Sequence, residues 1–170
     1  MSEAPDAQQP EQKQIEVQLR VERMYVKDLS FESPGAPSIF SGEFQPKFQV
    51  DLNTSVNSLG DDRHEVVLSV TTTASRTDDR VAYIAEVHQA GIFEVKGVEG
   101  AALQQVVSIA CPNMLFPYVR EALDSLIVKG GFQPLQLAPV NFEQLYMQAV
   151  ANRKNEATGE PGQPDDKITH

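Results

Sequence analysis

Residues 110–125 read ACPNMLFPYVREALDS, and the reading of this stretch decides the fold. Pro112 and Pro117 bracket an apolar aromatic run, and a helix-like pattern carrying Arg120 and Glu121 follows it. Val119, Leu123, Leu126 and Ile127 then recur at the 3.6-residue period of one helix face. Gly130 and Gly131 end that stripe, as glycine does at helix C-termini. Upstream, Ala101, Ala102, Val106, Ile109 and Ala110 already suit a helical stripe. Downstream, Asn141 is a good N-cap, with Gln144 three residues later in capping-box spacing. Phe142, Leu145, Tyr146, Ala149 and Val150 line one face of the helix it opens.

Before Gly100 the period is two. Ile15, Val17, Leu19 and Val21 alternate with Glu16, Gln18 and Arg20, a half-buried strand that runs on towards Val26. SPGAPS at 33–38 is turn chemistry. Phe48, Val50 and Leu52 alternate with Lys47, Gln49 and Asp51, and residues 53–62 read as a polar connection ending in Gly60, Asp61 and Asp62. Residues 64–74 form the best strand, with Val66, Leu68, Val70 and Thr72 on one face and β-branched Thr71 to Thr73 in support. Arg76 to Arg80 is a natural turn, and Val81, Tyr83, Ala85 and Val87 mark a strand over 81–89. Gly91 permits a bulge or bend before Ile92, Phe93 and Val95. Strands grouped before helices predict an α+β fold: a four-stranded antiparallel sheet, then a long helix and a shorter C-terminal helix. Both strand faces carry apolar residues and the helices are few, so self-association is expected to cover the remainder.

The 170 residues suit one domain. Residues 1–13 and 153–170 are polar, without periodicity or rich in Gly and Pro, and are expected to be disordered tails around a folded unit at 14–152. No run of about 18 apolar residues offers a membrane span. The start MSEAPDAQQPEQK lacks the basic and apolar parts of a secretory signal, so a cytoplasmic protein is expected, without direct membrane insertion. A single cysteine, Cys111, fits a reducing compartment. Of the net charge of −10, residues 1–13 carry −2 and residues 153–170 carry −1, leaving −7 on the folded unit. Such a surface repels nucleic acid, and its acidity reads either as a means of solubility alone or as an aid to encounter with a basic partner.

Catalytic chemistry has little support. His64, His88 and His170 are scattered, no CxxC, HExxH or HxH spacing occurs, and no metal site or cofactor is expected. Cys111 lacks a surrounding nucleophile signature and reads as a small buried apolar side chain. No phosphate-binding glycine loop follows a strand. The aromatic residues say more. Phe40, Phe44 and Phe48 lie four apart, and Phe93, Phe116, Tyr118 and Phe132 fall in proline- or glycine-flanked connections. They read either as ordinary core or as an apolar groove that accepts extended segments of many sequences. A small enzyme with an unfamiliar site is the reading of a different class, and it predicts a pocket of converging ionisable groups.

Several segments, in order, resemble the bacterial protein-export chaperone family SecB over roughly residues 18–150. They are RMYVKDLSFESPGAP (23–37), EVVLSVTTTAS (65–75), QAGIFEVKGVEG (89–100), CPNMLFPYVRE (111–121) and LAPVNFEQLY (137–146). The resemblance implies a homotetramer, a dimer of dimers whose sheets pair edge to edge with long helices between the layers. It implies no catalysis, and a function of holding unfolded preproteins and delivering them to the translocase ATPase SecA. The positions that match the family's motor-docking acids are Asp28 and Glu32 in KDLSFE, and Ile84 and Glu86 in YIAEV, with Ile84 in place of a leucine. A second motor contact is attributed to the C-terminal tail, here the divergent residues 151–170. Phe44 stands where relatives often have tryptophan. Phe40, Phe44, Tyr83, Phe116 and Tyr118 are the candidate client lining. The alternative within the fold is a general or antitoxin-linked holdase that lacks the motor contact.

Overall fold

A computed structural model describes residues 16–157, with side chains to Lys154. The expected N-terminal tail and Ile15 lie outside the described residues. Four strands, β1 (Gln18–Glu32), β2 (Lys47–Gly60), β3 (Arg63–Ser75) and β4 (Val81–Lys96), precede the helices. α1 (Gly100–Gln105), a π-helical turn (Val106–Ala110) and α2 (Cys111–Lys129) follow end to end, and α3 (Phe142–Ala157) comes last. The sheet order is β1-β4-β3-β2, with every neighbouring pair antiparallel. The expected strands-then-helices architecture is therefore present.

One face of the sheet packs on α2. Val66, Leu68 and Val70 of β3 and Tyr83, Ala85, Val87 and Phe93 of β4 are buried there. Against them α2 sets Cys111, Leu115, Val119, Leu123 and Ile127, one side chain at every fourth residue. Each full burial of such a large aliphatic or aromatic side chain stabilises by about 1.5–3 kcal/mol relative to exposure. The other face, called the open face below, has no helix on it among the described residues.

Four local readings change. First, residues 53–60 are strand, not connection: Asn53, Ser55 and Asn57 pair with Ser69, Val67 and Glu65 in β3. Their polarity reflects the solvated open face. The hairpin closes at Asp61 and Asp62, with φ of 51° and 59°, the two left-handed positions of a type I′ turn. Second, β4 runs through Gly91 without a bulge. A Cβ there would lie 2.5 Å from the Phe93 ring and 3.2 Å from Leu115, so glycine makes room first for the Phe93 ring and then for α2. In the β1–β4 pair the register shifts lie in β1 instead, between Val21 and Arg23 and between Val26 and Asp28.

Third, the prolines do not divide the helix. A proline ring clashes with the carbonyl four residues earlier, which for Pro112 is Ser108 inside the π turn. The wider turn takes the Cys111 N–H to the Val106 carbonyl, five residues back, and makes room for the ring. Fourth, α3 continues to Ala157, so Arg153 and Lys154 belong to a helix and not to a tail. Residues 151–157 hold neither Gly nor Pro, and nothing local stops the helix. The rest of the expected tail lies outside the described residues. Asn141 does cap α3: its Oδ1 accepts the Gln144 N–H at 2.9 Å.

Candidate functional site

The end of α2 builds an aromatic groove. The Gly131 N–H donates to the Val128 carbonyl at 3.0 Å and the Phe132 N–H to Ile127 at 3.1 Å. With Gly131 at φ 87°, this is a Schellman closure. It folds Phe132 back over the sheet, with its ring 4.9 Å from Tyr83, 5.2 Å from Phe40 and 5.4 Å from Phe44. Gly130 matters for the same reason, since a Cβ there would lie 2.1 Å from the Phe31 ring. The Asp124 carboxylate then fixes the outgoing loop by accepting the Leu135 and Gln136 N–H groups at 3.0 and 3.2 Å.

The result is a cavity of about 400 Å³ lined by Ile39, Phe40, Phe44, Phe48, Tyr83, Phe132 and the loop after it. Phe40 and Phe48 are about half exposed, at 52% and 48%. Tyr83 is the buried floor. Burial first, and then the nearby Asp124 charge, push its phenol up to about 12. Its hydroxyl is buried without a hydrogen-bond partner among the described residues. A second cleft of about 550 Å³ lies between β2 and α3, with Leu52, Val56, Phe142, Leu145 and Tyr146 on its walls. Ring faces without a fixed polar array bind apolar segments with little regard to sequence.

Of the five candidate client residues, the structure gathers Phe40, Phe44 and Tyr83 in the first groove. It does not bring Phe116 or Tyr118 there. Phe116 is buried under α3, edge-on to Phe142 at 5.9 Å, with the Arg120 guanidinium 6.0 Å from its ring. Tyr118 is exposed on α2 and lines neither cleft. The residue missing from the sequence-derived lining is Phe132, the centre of the cluster. Its signal was the Gly130–Gly131 pair, which read as a helix stop and not as a device that redirects the next side chain.

The four candidate docking residues do come together. In the β1–β4 register Ser30 pairs with Glu86 and Glu32 with Ile84, while Asp28 pairs with His88. Alternation then places Asp28, Glu32, Ile84 and Glu86 on the open face of two adjacent strands. Beside them a carboxylate network holds the sheet. Glu65 accepts from the Tyr25 hydroxyl, from Lys27 Nζ at 2.9 and 3.0 Å, and from Asn57 Nδ2 at 3.0 Å. Those donors, Tyr25 foremost, hold Glu65 down to about 2 against burial. Lys27 is thereby engaged with Glu65, while Asp28 and Glu32 are exposed and Glu86 is half-buried on the same face.

The fold is that of a SecB-like chaperone. It matches the Mycobacterium tuberculosis SecB-like chaperone Rv1957, solved in complex with a peptide from the Rv1956 HigA1 antitoxin. The TM-score is 0.60 at 16% identity, over 72% of this chain and 90% of that one. The sequence goes further. The family model for preprotein translocase subunit SecB matches residues 11–153. The protein-export protein SecB of Saccharophagus degradans is 54% identical over 79% of this chain and 80% of its own. That of Marinobacter nauticus is 48% identical over 86% and 88%, and that of Pseudomonas aeruginosa 46% over 92% and 91%. The chain belongs to the SecB family. That is a family of chaperones, and the chain is not an enzyme.

Proposed function

We propose that this protein is an export chaperone of the cytoplasm, which holds unfolded preproteins in its aromatic groove and delivers them to SecA. The single observation that supports this most is the half-exposed aromatic cluster around Phe132, kept open by glycines at Gly130 and Gly131. Burial of roughly 1,000 Å² of client apolar surface, at about 25 cal/mol per Å², gives a large gross gain that ordering costs reduce. Folded proteins have little such surface to offer. Among the described residues no helix is long and apolar enough to cross a membrane.

The active form in this reading is a homotetramer. β1 is an edge strand, and Val21, Val26 and Leu29 on its helix-side face are 38%, 50% and 45% exposed. An unpaired edge with apolar side chains is covered most simply by a second copy. The acidic open face of β1 and β4 supports motor docking over the holdase alternative, since it presents Asp28, Glu32 and Glu86 to a basic partner. Charge reversal tests this part. Glu86→Lys is expected to weaken SecA binding at least about tenfold at low salt, while client capture stays intact. Unchanged SecA affinity in that variant, measured by titration calorimetry, would favour the holdase without motor contact.

A further inference from the structure

No metal-ligand spacing is present in the sequence, yet strand pairing assembles a ligand set. We propose that Asp28, Glu86 and His88 form a binding site for a zinc-class divalent cation on the open sheet face. Asp28 lies directly across from His88 in the β1–β4 register, and Glu86 is two residues before His88 on the same face. One carboxylate oxygen from each acid and one imidazole nitrogen all lie within 4.8 Å of one another. Around a tetrahedral zinc, ligands about 2 Å from the metal sit about 3.3 Å apart, so side-chain rotation opens the Glu86–His88 contact and brings the Asp28 oxygen in.

The surroundings suit an ion. Thr71 Oγ1 on β3 donates to Glu86 Oε2 at 3.1 Å, while Glu86 Oε1 is 2.7 Å from His88 Nε2. The hydroxyl thus orients one oxygen and leaves the other paired with the imidazole, a contact that a bound ion would replace. The register shift between Val26 and Asp28 sets Lys27 and Asp28 on one face, and Lys27 turns to Glu65. Among the described residues neither Asp28 nor Glu86 is ion-paired to a lysine or arginine. Two carboxyl groups and one imidazole therefore form an acidic, nitrogen-containing donor set of the kind a divalent cation takes. The nitrogen ligand selects borderline transition ions over Ca²⁺ and Mg²⁺, and the lack of thiolate argues against Cu(I). Side-chain exposures of 33% for His88 and 34% for Glu86 leave the ion an entry path and open coordination positions.

The inference stands apart from motor docking, because its test uses the metal alone. Zinc chloride titrated into the full chain at pH 7.5, followed by calorimetry, is expected to show one equivalent per protomer. His88→Gln and Asp28→Asn should each weaken binding at least about tenfold, and Thr71→Ala by several-fold. His170→Gln should leave it unchanged, and a shift to pH 5.5 should weaken it, because protons compete with the metal for its ligands. All these positions are surface or terminal, and unchanged circular dichroism would confirm intact folding. Absence of zinc uptake at micromolar concentration, or equal affinity in His88→Gln, would overturn the assignment.

Discussion

Glu65 shows how one residue on the open face makes the fold pH-sensitive. Its carboxyl sits at about 2 in the folded chain against 4.5 when free, because Tyr25, Lys27 and Asn57 all donate to it. A depressed folded value means that its stabilisation is complete above about pH 4.5 and is lost as pH falls towards 2. The shift sets an upper bound of roughly 3 kcal/mol on that loss. Urea titrations between pH 7 and 3 should therefore show falling stability, and Glu65→Gln should be less stable at pH 7 with a flatter acid limb. Tyr83 makes the opposite case. Its buried hydroxyl has no partner among the described residues, so Tyr83→Phe keeps the ring and removes an unsatisfied donor. The variant should be as stable as the parent or more so by about 1 kcal/mol, as read from the urea midpoint. A loss above about 1 kcal/mol would mean that the hydroxyl is bonded in solution.

Among the elements, the glycine pair after α2 does most to shape the groove. Gly130→Ala would place a Cβ 2.1 Å from the Phe31 ring, in a cluster where Phe31 stacks on Tyr83 at 5.7 Å. The expected result is a loss of about 1–3 kcal/mol in stability, together with weaker client binding, because the ring must leave its place. Urea unfolding and client titration on the same preparation check both. The helices and the best strands were legible in the sequence because burial on one face writes a clear period. Cys111, Leu115, Val119, Leu123 and Ile127 are such a record, and so is the Asn141 cap. The spacing of β1 was harder to use. Leu19, Val21, Met24, Val26, Leu29 and Phe31 share a face only because two register shifts reset the alternation. Residues 53–60 failed as a strand for a different reason: with one face in water, polarity resembles a loop. The groove was half legible. Phe40, Phe44 and Tyr83 belong to both the expected lining and the observed groove, while Phe132 depends on the direction in which a helix end turns its next side chain, which composition does not encode. Asp28 and His88 lie sixty residues apart, so their pairing is visible only through the strand register.

For the whole molecule, the two faces of one sheet divide the work. The helix side ends in the aromatic groove, and the open side displays the acids, so in the proposed reading a client and a basic motor would contact different residues. The folded unit's charge of −7 favours that encounter at a distance and fades with salt. The exposed apolar side chains of the edge strand β1 make the monomer an incomplete object, and the account requires a tetramer. The measurement that tests the central claim most directly is light scattering coupled to size exclusion. The parent and Phe132→Ala would each be run alone and then with an unfolded, reduced preprotein. The account predicts that both elute as tetramers, that the parent captures the unfolded chain and ignores its folded form, and that Phe132→Ala captures it at least about tenfold more weakly. A tetrameric Phe132→Ala that captures as well as the parent would contradict the groove, and a monomeric parent that ignores the unfolded chain would contradict the whole account.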